Sequence, residues 1–348
     1  MDGNSQARVP VLLMVSGGSD STALLELAYA YSCGELASDG EDGALAAMLA
    51  ASLPEADALE LSVLHVNHCL RGAEADADEA FVAARCAALG IPCTARRVDV
   101  AARAQASSCG LEATARAVRY ELAGQVLDEL CARARVPAAA GIVCTAHTLD
   151  DRVETFLMRT LVGTGPGGLS SIPRVRGRIR RPLLDATREQ LRTWLRTRHA
   201  GCADAQLWRE DASNDDGSNF RSQVRTRLVP VMRELRPGFE RPLARTMDLI
   251  ASEDEGLSEL ADAFVYRNAR FDGRELRLPC AALAEQPRFL ARRMLRASLL
   301  MLLPDARLES AQIERVLDGL ATPGFATELS GGIRARVVGD ELVASVEQ

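Results

Sequence analysis

The chain has 348 residues, 47% of them hydrophobic, enough for one large domain and a smaller one or for two of medium size. No run approaches the roughly 20 apolar residues of a membrane span, and Met1 to Pro10 lacks the pattern of a signal peptide, so a cytoplasmic location and no membrane partner are expected. The net charge of -7 argues against indiscriminate nucleic-acid binding, and the nine cysteines contain no C-x-x-C pair, which argues against a cysteine metal site and a disulfide framework.

In chain order, Val9 to Val15 reads as a buried strand and Asp20 to Ser32 as a helix. Ser38 to Ala58 is an acidic, Ala-rich connection, helical in part. Leu59 to Val66 is a second strand, Glu74 to Leu89 a helix and Pro92 to Val98 a third strand. Glu112 to Leu130 is a helix, Gly141 to Ala146 a fourth strand and Leu149 to Leu161 a helix. Apolar strands with little alternation, separated by helices, predict a Rossmann-like parallel sheet with helices on both faces. Val162 to Arg178, with five Gly and two Pro, reads as a loop, and the Asp211 to Asn219 run marks a domain boundary. Residues 1–215 are thus expected to form the α/β catalytic domain, and 216–348 a smaller, mainly α-helical one. In the latter, Phe220 to Leu260 and Gln286 to Leu303 have helical periodicity, and Glu275 to Leu278 and Ile333 to Val338 read as short strands.

Charge is uneven along the chain. Between Ile172 and Arg245 there are 17 Arg against nine acids, a local balance of +8 on an otherwise acidic protein, which suggests a polyanion-facing surface. Every basic residue is Arg, because the chain has no lysine; a P-loop lysine and Schiff-base chemistry are therefore excluded.

The strongest chemical signal is Ser16-Gly17-Gly18-Ser19-Asp20-Ser21, between an apolar strand and a helix. Its glycines let backbone N–H groups approach an anion, its serines add donors and the helix N-terminus adds partial positive charge, so it can hold phosphate without a lysine. Asp20 would repel phosphate unless Mg²⁺ lies between them. The hexapeptide resembles the pyrophosphate-binding loop of the N-type ATP pyrophosphatases, which transfer the α-phosphate of ATP to a carbonyl oxygen before a nucleophile displaces AMP.

Further segments narrow the resemblance to the tRNA(Ile)-lysidine synthetases. Leu64-His65-Val66-Asn67-His68-Cys69-Leu70-Arg71-Gly72 resembles their HVNHGLRG segment, with Cys69 at a Gly position, which leaves open whether the turn there keeps a positive φ. Glu112 to Tyr120 resembles their E-x-x-AR-x-x-RY helix, with Arg116 and Arg119 as neighbours on one face. Ala146-His147-Thr148-Leu149-Asp150-Asp151-Arg152-Val153-Glu154-Thr155 resembles AHHLDDQAET; Asp150 and Glu154 share a helix face and need a cation, either Mg²⁺ or a substrate ammonium. Arg181 and Arg188, the stretch Trp208 to Asn214, and Arg221, Arg225 and Arg227 continue the match to about residue 240.

The resemblance implies an adenine nucleotide alpha hydrolase-like fold with ATP and Mg²⁺ as cofactors. It implies adenylation of carbon 2 of the wobble cytidine in CAU-anticodon tRNA(Ile), followed by attack of free L-lysine to give lysidine, AMP and pyrophosphate. Ser16 to Ser21 and His65 would bind the nucleotide, with Mg²⁺ on Asp20. Arg116 and Arg119 would neutralise phosphate charge. Asp150, Asp151 or Glu154 would receive an ammonium or its proton, and Arg181, Arg188, Arg221, Arg225 and Arg227 would hold the tRNA backbone. The resemblance also admits a homodimer. The alternatives are a tRNA thiolase of the same superfamily, against which the missing C-x-x-C speaks, and a non-catalytic nucleotide- or tRNA-binding protein, which would have no need of Asp20, Asp150 and Glu154.

Overall fold

The structure, a computed structural model, describes residues 8–107, 110–210 and 219–346. It divides into two compact units, Met1–Asp248 and Leu249–Gln348.

The first unit is built on a six-stranded sheet. Its strands are β1 (Val9–Met14), β2 (Leu59–Asn67), β3 (Cys93–Arg97), β4 (Ile142–Cys144), β5 (Val175–Arg176) and β6 (Ile179–Arg180), in the order β3-β2-β1-β4-β6-β5. All neighbours are parallel except the β5–β6 hairpin. The helices are α1 (Ser19–Ser32), α2 (Gly40–Ala50), α3 (Ala73–Leu89), α4 (Val100–Ser107), α5 (Leu111–Ala134), α6 (Leu149–Val162), α7 (Pro166–Leu169), α8 (Arg188–Arg198), α9 (Asp204–Leu207), α10 (Phe220–Gln223), α11 (Val229–Leu235) and the start of α12 (Glu240–Asn268), of which residues 249–268 count with the second unit.

Alternate side chains of β1 feed two cores. Val11 and Leu13 pack with α1 and α8 residues such as Leu24, Leu27 and Leu191, whereas Leu12 and Met14 pack with Val126, Leu127 and Leu130 of α5. Burial on both faces explains why this strand is apolar without alternation. The chain passes from β1 to β2 and β3 on one side and then crosses to β4 on the other, so β1 and β4 flank a topological switch point, where ligands bind in open α/β sheets.

The division between units falls later than the boundary expected at 215/216. Val224, Val229, Phe239 and Met247 pack on Leu149, Val153 and Leu157 of α6, so residues 219–248 belong with the first unit. The Asp211 to Ser218 part of the predicted boundary run lies outside the described residues. The helix expected over Phe220 to Leu260 is interrupted: a π turn spans Val224–Leu228 ahead of Pro230, which has no N–H to continue an α ladder, and the chain breaks again at Pro237-Gly238.

The second unit has the helix expected over Gln286 to Leu303, as α14 (Arg288–Leu302), together with two that were not expected, α13 (Cys280–Ala284) and α15 (Ser310–Gly319), and packs them with a five-stranded antiparallel sheet. This sheet orders β7 (Arg270–Asp272), β8 (Glu275–Pro279), β11 (Glu341–Val346), β10 (Ile333–Val338) and β9 (Ala326–Leu329). Ile333 and Ala335 of β10 join Leu295, Leu299, Ile313 and Val316 in its core, while Arg334 and Arg336 face out. Among the described residues no helix is long and apolar enough to cross a membrane.

Candidate active site at the strand ends

The glycine loop leaves β1 at Val15 and enters α1 at Ser19. Gly17 has φ +98°, so a side chain is excluded by conformation, although a Cβ there would meet nothing closer than 3.5 Å. Ser21 Oγ accepts from the N–H groups of Ser16 and Gly17, both at 3.2 Å, and the Gly17 carbonyl accepts from Arg209 N at 2.9 Å. The N–H groups of Gly18, Ser19, Asp20 and Ser21 have no acceptor among the described residues. They are the orphan donors of a 14-residue helix at its positive end, an anion site in physical terms.

These donors open into a cavity of ≈ 1090 Å³ at the carboxyl ends of β1, β2 and β4. His65 is 4% exposed, and its Nδ1 donates to the Val15 carbonyl at 2.9 Å, tying the end of β2 to the loop. Asn67 donates to Glu79 at 3.0 Å and accepts from Cys69 N at 3.0 Å. Cys69 has φ +57°, so the turn that favours Gly is kept with a side chain in place. A left-handed conformation costs a non-Gly residue roughly 1–2 kcal/mol, offset in part by the entropy of an unfolded Gly. Cys69→Gly should therefore raise stability by about 0.5–1 kcal/mol with activity retained; a lower urea midpoint would contradict this.

The acids are paired with arginines. Asp20 accepts from Arg188 Nε at 3.0 Å and from Ser19 Oγ at 3.2 Å. Burial pushes its carboxyl above the usual range, with the Arg188 charge opposing. Asp151 accepts from Thr148 N at 2.9 Å, closing the first turn of α6, and pairs with Arg221 at 2.8 Å and Arg188 at 3.6 Å. Burial raises its pKa, but Arg221, Arg188 and His147 outweigh burial and hold it below the ordinary value.

Two neutral histidines complete the wall. Burial, helped by the Arg119 charge, lowers the pKa of His68 to about 4; burial, helped by Arg181 and Arg116 against Asp151, lowers that of His147 to about 4. The unfolded rings titrate near 6.5. As pH falls from 6.5 towards 4 the unfolded chain binds protons that the folded chain refuses, so stability declines across that window and levels off below it. The slope is at most about 1.4 kcal/mol per pH unit for each ring. Urea midpoints compared at pH 7 and pH 4.5 test this; equal midpoints would contradict it.

The cavity thus gathers Ser16, Gly18, Ser19, Asp20, Ser21 and His65 with Arg119, Asp151, Arg188, Arg221 and Arg225. Arg119 lines it exposed to solvent and has no carboxylate in ion-pair range among the described residues. Other expected residues are placed elsewhere. Asp150 accepts from Arg188 N at 2.8 Å and from Arg233 Nη2 at 2.9 Å and does not line the cavity. Glu154 is 2% exposed and pairs with Arg221 at 2.8 Å and Arg225 at 2.6 Å. The cations that stand beside this pair of acids are arginines of the chain. Arg181 is 2% exposed and donates to the Pro173 carbonyl at 2.5 Å, too enclosed for a phosphate backbone. Arg116 lies 5.0 Å over the Tyr120 ring and is not in the wall. Arg227 is exposed on the π turn, outside the cavity.

Sequence reasoning missed Arg192, Arg209 and Glu210, which also line the cavity. The signal for Arg209 and Glu210 was the Trp208-Arg209-Glu210 stretch, legible as a motif but with no indication that it returns to the loop, and Arg192 was visible only as part of the arginine-rich span.

Several known proteins resemble this chain in sequence. A tRNA(Ile)-lysidine synthase from Thermus thermophilus is 36% identical over 335 residues, covering 96% of this chain and 56% of that protein. One from Chlorobaculum tepidum is 34% identical over 257 residues, covering 74% and 66%. One from Geobacter sulfurreducens is 33% identical over 293 residues, covering 83% and 54%. The chain therefore spans between about half and two-thirds of the length of these relatives. Among solved structures, the U34-tRNA thiolase NcsA from Methanococcus maripaludis aligns with a TM-score of 0.46 and 14% identity over 71% of this chain and 74% of that one. Residues 3–232 match the model of the PP-loop domain, a span that takes in the loop, the sheet and the arginines around them, and the chain belongs to that ATP-binding family.

Proposed function

We propose that this chain ligates L-lysine to carbon 2 of the wobble cytidine of CAU-anticodon tRNA(Ile). The observation that carries the reading is that identity to tRNA(Ile)-lysidine synthases extends over 96% of the chain, well beyond the phosphate loop. In the first step the cytosine carbonyl oxygen bonds to the α-phosphorus of ATP and pyrophosphate leaves. In the second the side-chain amine of lysine bonds to carbon 2, loses a proton, and AMP leaves with the former carbonyl oxygen.

The N–H groups of Gly18 to Ser21, which have no acceptor among the described residues, bind phosphate oxygens, and Arg119, with no carboxylate partner among the described residues, faces the same charge. Asp20 would hold Mg²⁺. Its carboxylate stands beside the loop donors, accepting from Ser19 Oγ and Arg188 Nε, and is a hard oxygen ligand of the kind Mg²⁺ takes. Such an ion would supply neutralising charge on the phosphates. Asp151 is the acid of its motif that lines the cavity, so it is assigned the lysine ammonium. No cysteine among the described residues lines the cavity, which disfavours a thiolase.

The exposed Arg227, which has no ion pair among the described residues, serves the tRNA backbone. Arg227→Ala should lower the slope of log affinity for tRNA against log salt by about 0.7–0.9 and leave ATP affinity unchanged; an unaltered slope would remove Arg227 from the interface. The adenylation step is tested by omitting lysine. Chain, ATP and CAU-anticodon tRNA(Ile) should give adenylated tRNA and pyrophosphate, whereas binding of both without pyrophosphate release would mark a non-catalytic protein.

A further inference from the structure

We propose that Arg192 binds the pyrophosphate that leaves in the adenylation step, and that the Trp208 ring holds it in position for that task. The inference rests on the adenylation reading. With no lysine in the chain, any side-chain cation at the phosphate loop must be an arginine. Arg188, Arg192 and Arg209 line the cavity beside it. Arg188 is committed to Asp20 and Asp151, at 3.0 and 3.6 Å, and Arg209 to Asp78, at 3.0 Å and only 12% exposed. Arg192 differs. Its Nε donates to Ser19 Oγ at 3.2 Å, at the mouth of the loop, while its one carboxylate partner among the described residues, Glu210 at 3.1 Å, is 65% exposed and so holds it weakly.

The guanidinium is nonetheless oriented. It lies 5.3 Å over the ring of Trp208, a residue 1% exposed, and Trp208 Nε1 donates to the same Glu210 oxygen at 2.7 Å. One helical turn separates Arg188 from Arg192, so both reach the N-terminus of α1 from one face of α8. When the bond from the α-phosphorus to its bridging oxygen breaks, the electron pair departs with pyrophosphate. Charge then grows on oxygens beside Ser19, where a fixed guanidinium fork favours it over the ground state.

The test uses the full chain titrated with inorganic pyrophosphate plus Mg²⁺, and separately with AMP. Arg192→Gln should weaken pyrophosphate binding by about 10–100-fold, the range for a lost charge-assisted contact, with AMP affinity and melting temperature unchanged. Arg192→Lys should recover part of the loss, and Glu210→Gln, which removes the competing charge but keeps an acceptor for Trp208, should tighten pyrophosphate binding by about twofold. Unchanged pyrophosphate affinity in Arg192→Gln, or an equal loss of AMP affinity, overturns the assignment. A wild-type chain that binds neither pyrophosphate nor ATP overturns the adenylation reading itself.

Discussion

Asp20→Asn is expected to lower the rate of tRNA adenylation by on the order of 10²–10³ or more while leaving the fold intact. The carboxylate stands at the positive end of α1, within reach of Ser19 Oγ and Arg188 Nε. Asn keeps its shape and an acceptor for one of these donors but removes the charge that would hold Mg²⁺. Near wild-type, Mg²⁺-dependent activity in Asp20→Asn would sink this role.

The second large effect is on stability. Glu154→Ala should destabilise the protein by about 3–5 kcal/mol, the cost of stripping one partner from a buried ion pair. Glu154 is 2% exposed and is the shared acceptor of Arg221 and Arg225, so its loss leaves two guanidiniums facing each other beside Asp151. If Glu154 instead awaited a substrate ammonium, the variant would unfold at the wild-type denaturant concentration and show only a raised Michaelis constant for lysine. Arg225→Ala is a poor probe of tRNA contact for the same reason: it disturbs this network as well as any phosphate.

Much of the first unit was legible because its signals are local. The unbroken apolar run of β1 and most of α5, expected over Glu112 to Leu130 and observed over Leu111–Ala134, were read from pattern alone, and the loop between β1 and α1 from its residue types. What escaped was short or long-range. The two-residue strands β5 and β6 lie in the polar stretch Val175-Arg176-Gly177-Arg178-Ile179-Arg180, where no periodicity can develop. The like charges at Asp150 and Glu154 correctly demanded cations, but those cations come from arginines 83, 67 and 71 residues away. Such pairing is set by the packing of residues 219–248 on α6, which no local pattern encodes. In the second unit, β7, β9 and β11 carry no distinguishing run, so a five-stranded sheet was reduced to two strands among helices.

Nucleoside analysis of tRNA after incubation with ATP and isotopically labelled lysine tests lysine ligation most directly. One labelled, modified cytidine is expected at the wobble position of CAU-anticodon tRNA(Ile), formed only with ATP and with one AMP and one pyrophosphate per label. Pyrophosphate release with no lysine label in any nucleoside would contradict it.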